Sequence, residues 1–157
     1  MKRALFTLML PFALAACGGA VAGYGGGTAP SSQSAPATIS VASNSLGQIL
    51  VGANGKTLYL FEADTSTQST CSGACAQAWP PLTTTGSPKA ASGASASLLG
   101  TTTRSDGATQ VTYNGHPLYY FVSDTKAGDT NGEGSTAFGA GWDVLSPAGI
   151  KIEKSGS

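Results

Sequence analysis

The chain has 157 residues, of which 41% are hydrophobic and 10% are charged, and its eight basic residues balance its eight acidic ones. A neutral chain without a run of Lys or Arg lacks the basic surface that nucleic acid requires, so we expect no nucleic-acid partner. The same charge pattern excludes electrostatic attraction to anionic lipid as the main way in which this chain reaches a membrane.

The N-terminus has the layout of an export signal. It reads MKRALFTLMLPFALAAC, with two basic residues at the start, an apolar run over residues 4–14 and two alanines before Cys17. The apolar run is shorter than the roughly 20 residues that a membrane-spanning helix needs. Leu-Ala-Ala-Cys over residues 14–17 resembles a bacterial lipobox, which predicts removal of residues 1–16 and lipidation of Cys17. An ordinary signal peptide cleaved near Ala16 is the alternative.

A lipid on Cys17 would hold the mature protein at a membrane. Acyl chains contribute about 0.8 kcal/mol per buried CH₂, and two or more chains give stable anchoring. Gly18, rather than Asp, follows the cysteine, which favours the outer membrane, facing the periplasm, in a Gram-negative host. Presentation on an exported surface is the other option. Cleavage removes two of the eight basic residues, leaving a net charge of 6 − 8 = −2.

The remaining chain divides into a tether and one domain. Residues 17–38 are rich in Gly, Ser, Pro and Ala, which predicts a disordered tether with a mean reach on the order of 25 Å. Residues 39–153 have the length of a single domain. Within it we predict a first repeat over about 45–82, a Thr- and Ser-rich connection over 83–103 and a second repeat over about 104–150.

The repeat is visible in the sequence itself. VGANGKTLYLFEADT, residues 51–65, recurs as VTYNGHPLYYFVSDT, residues 111–125, at a constant offset of 111 − 51 = 60. Self-similarity at a fixed spacing indicates one supersecondary unit used twice. Asn54-Gly55 and Asn114-Gly115 lie between apolar runs, and Asn-Gly predicts a two-residue type I′ hairpin turn at each site.

The strand after each turn carries apolar residues on both faces. Tyr59 and Phe61 alternate with Leu58 and Leu60, and the second copy repeats the alternation. Strands that are apolar on both faces are typically covered on both sides. We therefore predict an all-β, mainly antiparallel fold of two hairpin-based repeats that share one core, with at most one short helix near residues 71–79. Further strands are expected at 39–41, 48–51 and 108–113, with a closing hairpin formed by 144–145 and 149–152.

An acidic residue follows each of these strands. Asp64 and Asp124 are each followed by Thr, and a carboxylate in this position commonly accepts backbone N–H groups of the turn two residues on. We predict that both aspartates cap turns. The alternative is that the two carboxylates meet across the pseudo-dyad as the acid and base of a hydrolase.

Both copies fit the pattern Tyr-x-(Phe/Trp/Tyr)-x-x-Asp. The residues that carry it are Tyr59, Phe61 and Asp64 in the first copy and Tyr119, Phe121 and Asp124 in the second. This pattern resembles the signature of bacterial lipoproteins known as secreted repeats of unknown function. Residues 71–82, 128–134 and 141–142 also resemble that family, whereas residues 135–140 form a longer run than is usual in it. The resemblance implies an envelope lipoprotein and brings no established activity with it.

Two cysteines remain after Cys17 is lipidated. In an oxidising compartment Cys71 and Cys75 most simply form a disulfide, and on a short helix over residues 72–79 their Cα atoms would lie about 6 Å apart, within disulfide range. Closing so small a loop contributes only roughly 2 kcal/mol. That value fits a structural staple, which we predict, and also a reducible redox pair.

Two metal sites are alternatives to these structural interpretations. Cys71, Cys75 and His116 resemble the three-ligand copper sites of periplasmic copper-delivery proteins, and thiolate and imidazole suit Cu(I) or Zn. Those proteins have a thioredoxin-like fold, however, and nothing here predicts a βαβ unit. His116 also takes the place of Lys56, which indicates a solvent-facing position beside the turn.

The second alternative is calcium. Asp129, Asn131 and Glu133 alternate in a Gly-rich loop as the first ligands of a Ca²⁺ loop do, but the later bidentate Glu is missing. We favour a plain loop. Trp79 and Trp142 close the two repeats at nearly equivalent positions, and we predict that both fill the core.

No set of catalytic residues emerges from the sequence, and there is no G-x-S-x-G elbow. We therefore expect an envelope lipoprotein that is not an enzyme, needs no cofactor and serves as a binding or structural module, with another envelope protein as a partner. A metal or redox carrier using Cys71, Cys75 and His116 is the alternative. A hydrolase using Asp64 and Asp124 is more remote.

Overall fold

The computed structural model of the chain describes residues 35–153. This part of the chain forms eight short strands, namely β1 (Thr38–Asn44), β2 (Gly47–Val51), β3 (Tyr59–Phe61), β4 (Lys89–Ala90), β5 (Leu99–Thr103), β6 (Thr109–Tyr113), β7 (His116–Pro117) and β8 (Trp142–Val144). It also forms one helix, α1 (Ala74–Ala78), and 3-10 turns at Ala53–Gly55, Ala96–Leu98 and Ala137–Gly139. No helix in this range is long and apolar enough to cross a membrane. The predicted signal segment, Cys17 and most of the predicted tether lie outside it.

The strands form three small sheets in the orders β2-β1-β4, β3-β8 and β5-β6-β7. All named pairs are antiparallel except β1 with β4. After β8 the chain turns back, with Leu145 opposite Lys151, which is the predicted closing hairpin. The prediction of a mainly antiparallel β fold with one short helix is confirmed.

The hairpins β1-β2 and β5-β6 are equivalent units of the two repeats. β5 lies inside the range predicted as the connection, residues 83–103, so that boundary needs correction: the second repeat begins at Leu99. The Leu-Gly-Thr-Thr-Thr sequence of β5 has the composition of a low-complexity linker, yet β-branched threonines suit a strand that is half exposed. By the same equivalence the first repeat begins at β1 and not near residue 45.

The domain also begins slightly earlier than the sequence suggests. Ala37 is buried, and its N–H donates to Thr84 Oγ1 at 3.0 Å. β1 then starts at Thr38, which pairs with Lys89. Two residues at the end of the predicted tether therefore belong to the folded domain.

The two Asn-Gly turns differ by one residue. In the second repeat Tyr113 pairs with His116, and Asn114 and Gly115 form the predicted two-residue turn with φ values of 49° and 83°. In the first repeat Gly52 donates to the Lys56 carbonyl, so the loop holds three residues and the two-residue prediction is wrong. Tyr113 is fully buried and holds its strand in register, whereas the equivalent Ala53 is exposed and joins the loop.

β3 is buried on both faces, as predicted. In the second copy Leu118 and Tyr119 are buried, whereas Tyr120 and Phe121 are half-buried and the chain directly after β7 forms only isolated bridges, at Tyr119. Leu58, Leu60 and Leu118 pack in one hydrophobic cluster together with Ile39, Leu50 and Val111. Tyr59, Phe61 and Tyr119 pack in a second cluster, which also contains both tryptophans and both cysteines. The alternation along the strands thus assigns the leucines to one core layer and the aromatic motif residues to the other.

The two repeats complete each other's sheets. The backbones of Tyr59 and Tyr119 exchange both N–H···O=C bonds, at 2.9 and 3.0 Å, where the repeats meet. β3 of the first repeat then pairs with β8 of the second. Reciprocally, the Tyr120 N–H donates to the Pro80 carbonyl at 2.8 Å, and Tyr119 lies opposite Pro81, so the second copy of the motif pairs with the end of the first repeat. The core is therefore shared, as the sequence predicted.

Candidate functional site

A stack of four aromatic rings fills the core layer that contains the motif residues. Its order is Phe121, Trp79, Trp142 and Phe61, with ring centroids 4.2, 3.9 and 4.1 Å apart. Trp79 and Trp142 are 1% and 0% exposed, so both fill the core as predicted. Each phenylalanine stacks on the tryptophan of the other repeat. Offset stacked rings contribute about 0.5–1.5 kcal/mol per pair beyond their buried area.

The two motif tyrosines pack edge-on against this stack and carry the central polar contacts. The Tyr59 hydroxyl donates to Asp124 Oδ2 at 2.6 Å, and the Tyr119 hydroxyl donates to Asp64 Oδ2, also at 2.6 Å. Both bonds run from one repeat to the other, and all four side chains are buried. The motif Tyr-x-(Phe/Trp/Tyr)-x-x-Asp therefore encodes a reciprocal pair of tyrosine–aspartate hydrogen bonds, the Tyr–Asp pairs. Sequence reasoning missed these contacts, because nothing local in the chain indicates them.

The second oxygen of each carboxylate holds the loop that follows it. Asp64 Oδ1 accepts the N–H and the hydroxyl of Thr70, at 2.7 and 2.6 Å. Asp124 Oδ1 accepts the N–H of Asn131 at 2.9 Å. Both aspartates accept backbone N–H groups, but the prediction of a donor two residues onward is wrong, because the donors lie six and seven residues onward. The chain must therefore leave each aspartate, turn, and return before the N–H of Thr70 or Asn131 can reach the carboxylate.

Burial sets the electrostatics of the Tyr–Asp pairs. Removal from water raises the pKa of the Asp124 carboxyl, while the bond from Tyr59 acts in the opposite direction. Desolvation raises the pKa of Tyr59 and of Tyr119 far above their usual range, and the neighbouring carboxylates raise them further. Both phenols therefore stay protonated and act as hydrogen-bond donors across the physiological pH range.

A buried arginine extends the pair at Asp64. Arg104 is 5% exposed, and its Nη1 donates to Ser69 Oγ and to Gln110 Oε1, both at 2.7 Å. Ser69 Oγ lies 2.7 Å from the Tyr119 hydroxyl. Because the single Tyr119 proton is directed to Asp64, Ser69 donates in that contact. The Arg104 guanidinium is thus linked to the Asp64 carboxylate through the hydroxyl groups of Ser69 and Tyr119. In the sequence Arg104 only marked the start of the predicted second repeat, directly after the Thr- and Ser-rich connection.

Cys71 and Cys75 form the predicted disulfide, with their Cα atoms 5.3 Å apart. They are 1% and 7% exposed. The helix is shorter than the predicted 72–79, since α1 begins at Ala74 and Cys71 precedes it. Arg104 Nη2 donates to the Cys71 carbonyl at 2.7 Å, so the disulfide and the arginine hold the same turn.

The candidate metal ligands do not converge. In residues 35–153 no group of three or more His, Cys, Asp or Glu side chains is placed to hold a metal ion. His116 lies half-buried in β7. Asp129 Oδ2 accepts the N–H groups of Thr125 and Lys126, both at 2.9 Å.

The other two members of the candidate calcium loop have separate roles. The Asn131 side-chain amide donates to the Ser123 carbonyl at 3.1 Å. Glu133 is buried, and its Oε2 accepts the Val144 N–H at 2.7 Å. Asp129 and Asn131 thus hold the loop to itself, whereas Glu133 holds it to β8.

An open groove of about 630 Å³ lies on the surface between the two repeats. Its walls are the loop at residues 64–67, the turn at residues 114–116 and the closing hairpin at residues 149–151. Ile150 is 61% exposed there. On the rim, Lys151 Nζ forms an ion pair with Glu62 Oε1 at 2.7 Å, which lowers the pKa of the Glu62 carboxyl.

Tandem β repeats, export and a repeated Tyr/Asp motif define a class of secreted repeat proteins. The family model described as "secreted repeat of unknown function" matches the chain twice, at residues 40–83 and 100–146, and the chain belongs to that family. The two matches start 100 − 40 = 60 residues apart, the first within β1 and the second within β5. Neither a curated protein nor a solved structure matches the chain.

The Tyr–Asp pairs predict a specific pattern of energetic coupling. A double-mutant cycle of Tyr59→Phe with Asp124→Asn should give a coupling free energy of about 1–3 kcal/mol, measured by urea denaturation, because each single change leaves a buried partner unsatisfied. The matched cycle of Tyr59→Phe with Asp64→Asn tests the non-contacting carboxylate and should be near zero. Equal coupling in both cycles would contradict the assigned pairing.

Stability should fall in alkali because of the same tyrosines. In the unfolded chain they ionise near pH 10, whereas their raised pKa keeps them protonated in the folded protein. Above that pH the folded state binds more protons, so the free energy of unfolding decreases by about 1.4 kcal/mol per pH unit for each tyrosine. Urea denaturation from pH 9 upward should show this slope, and Tyr59→Phe/Tyr119→Phe should flatten it. An unchanged slope in the double variant would refute the assignment.

The disulfide predicts a modest response to reduction. The isolated oxidised protein should contain no free thiol in the domain and no stoichiometric copper or zinc. Reduction of Cys71–Cys75 should cost about 2 kcal/mol without unfolding the domain, as measured by urea denaturation and near-UV circular dichroism. Titration of the reduced protein with Cu(I) against a chelator is the control. Tight one-to-one binding that His116→Ala abolishes would instead support a metal carrier.

Proposed function

We propose that the chain is a lipid-anchored, non-catalytic module of the bacterial cell envelope that binds another envelope protein. Cys17 carries the lipid, and the region between it and Ala37 spaces the domain from the membrane. In a Gram-negative host the outer membrane, facing the periplasm, is the proposed location, because Gly18 rather than Asp follows the lipidated residue.

The observation that carries this proposal is the reciprocal bonding of the motif. Asp64 and Asp124 are the acidic residues that the repeated motif provides, and both are buried, each bonded to a tyrosine of the other repeat. A catalytic carboxylate must instead reach substrate or its water. The motif thus serves to join two halves into one rigid body. This arrangement supports a scaffold for recognition better than a hydrolase built on the two aspartates.

The alternative carrier function is less well supported. A thiolate carrier needs free sulfur, whereas Cys71 and Cys75 are joined to each other and buried. His116 lines the open groove, which belongs to the surface of the domain. The Cu(I) titration described above is the direct test of this alternative.

The groove is the surface that we assign to the partner. Ile150 provides an exposed apolar contact, and the Glu62–Lys151 ion pair provides a polar rim. An apolar centre with a polar rim is the usual anatomy of a protein–protein interface. The groove is open to solvent rather than enclosed, which fits a segment of a protein better than a small molecule, since small-molecule sites bury most of the ligand.

Matched variants in a pull-down test this assignment. The lipidated protein, purified from its own membranes, should retain a partner that is lost in Ile150→Glu. Val122→Glu is the control, because Val122 is also an exposed apolar residue, at 53%, and is not part of the groove lining. Equal retention by both variants would refute the groove as the interface, and absence of any retained protein in the wild type would refute the binding function.

Lipid anchoring has its own test. Cys17→Ser should remove both lipid labelling and membrane association, because the acyl chains provide the anchor. Metabolic labelling with a fatty-acid probe and membrane fractionation measure the two effects. A Cys17→Ser product that is still labelled and still membrane-associated would contradict the assignment of Cys17.

A further inference from the structure

The core contains a continuous path of side chains that can lose one electron. Tyr59 contacts Trp79 with ring centroids 5.3 Å apart, Trp79 stacks on Trp142 at 3.9 Å, and Trp142 contacts Tyr119 at 5.2 Å. Tryptophan and tyrosine are among the side chains most readily oxidised by one electron. Since electron transfer between rings in contact is fast, a positive charge formed on either tryptophan can reach both tyrosines.

The tyrosines at the two ends of the path have a proton acceptor, whereas the tryptophans in the middle do not. A phenol releases an electron readily only when a base accepts its proton, and each hydroxyl donates to a carboxylate at 2.6 Å. The Trp79 indole N–H has no acceptor among residues 35–153. The Trp142 indole N–H donates to the Ala137 backbone carbonyl at 2.8 Å, and that carbonyl is a poor base. Oxidising equivalents therefore settle on the two tyrosines.

The other two described tyrosines have no carboxylate as a proton acceptor. The Tyr113 hydroxyl donates to the Pro147 carbonyl at 2.8 Å, and the hydroxyl of Tyr120 contacts the backbone of Ala53. Neither is bonded to a carboxylate. Among residues 35–153 the repeated motif thus supplies both a place on the aromatic path and a proton acceptor, and it does so once in each repeat.

We propose that Tyr59, Trp79, Trp142 and Tyr119 form a one-electron relay that takes up oxidising equivalents from oxygen-centred radicals and holds them as a buried tyrosyl radical. This activity is separate from partner binding at the groove. It gives the exported domain a means to intercept a radical without loss of a side chain.

The step is balanced within the pair. The radical oxidant gains one electron, Tyr59 loses one electron, and the Tyr59 Oη–H proton moves to Asp124 Oδ2. The products are a neutral tyrosyl radical and a neutral carboxylic acid. A one-electron reductant of the thiol or ascorbate class then supplies an electron, the proton returns from Asp124, and the phenol is restored. Tyr119 and Asp64 react in the same way.

Flash photolysis of the full mature lipoprotein in detergent tests the relay. Photo-oxidised tris(bipyridine)ruthenium(III) serves as the one-electron oxidant, and transient absorption separates tryptophanyl from tyrosyl radicals. In the wild type a tryptophanyl signal should convert to a tyrosyl signal. In Tyr59→Phe/Tyr119→Phe the tyrosyl yield should fall several-fold while the tryptophanyl radical persists. The matched control, Tyr113→Phe/Tyr120→Phe, should behave as the wild type.

A loss of tyrosyl signal in the control equal to that in the double variant, or no loss in either, would overturn the relay. Near-UV circular dichroism verifies that each variant is folded. A measurement on the wild type does not depend on any variant: the conversion should be slower in D₂O after full exchange, because the phenolic proton moves with the electron. An equal rate in H₂O and D₂O would also overturn the proposal.

Discussion

The hydrogen bond from a tyrosine of one repeat to an aspartate of the other is the contact on which the rest of the domain depends. A buried carboxylate without partners is strongly unfavourable, so Asp64 and Asp124 can be buried only when the opposite repeat is in place. Their second oxygens then hold the loops that carry the chain back to the tryptophans. Strand pairing, loop closure and ring stacking are therefore coupled through two pairs of side chains.

The two repeats reach the same arrangement by different means. After Asp64 the chain returns to Trp79 through a turn held by the disulfide and by Arg104. After Asp124 the returning loop has neither, and the buried Glu133 carboxylate accepts the Val144 N–H in β8 instead. The two repeats thus share the same Tyr–Asp bonds but differ in the loops that follow. The first loop is closed by a disulfide, and the second is held by the Glu133 carboxylate.

Local features of the sequence were sufficient to predict β1, β2, β3 and β6, the two apolar faces of β3 and the disulfide. These features depend on alternation, on turn residues and on two cysteines four positions apart, all of which are visible within a few residues. The tyrosine–aspartate contacts could not be predicted in this way. Tyr59 and Asp124 are 65 positions apart, and each aspartate also lies at the end of a strand, where a turn cap is the ordinary expectation.

The errors at the boundaries have physical causes as well. Composition hid β5, because three threonines and a glycine in a half-exposed strand look the same as a linker. The first Asn-Gly turn gained a residue because Ala53 has no buried side chain to hold the pairing that Tyr113 holds. The burial of Arg104 gave no signal, since two of its partners, Ser69 and Gln110, are polar residues of types common on surfaces, and Asp106, which it also contacts, is itself exposed.

The interlocked strands have a consequence for the order of events during export. An exported chain emerges from its translocation pore N-terminus first, so β3 reaches the far side well before β8, with which it pairs. Until then the first half has an exposed strand edge and no acceptor for the Tyr59 hydroxyl. Such an edge invites pairing with other chains, and contacts distant in sequence form slowly. The emerging first half is therefore the stage at which a chaperone outside the membrane would have most to protect.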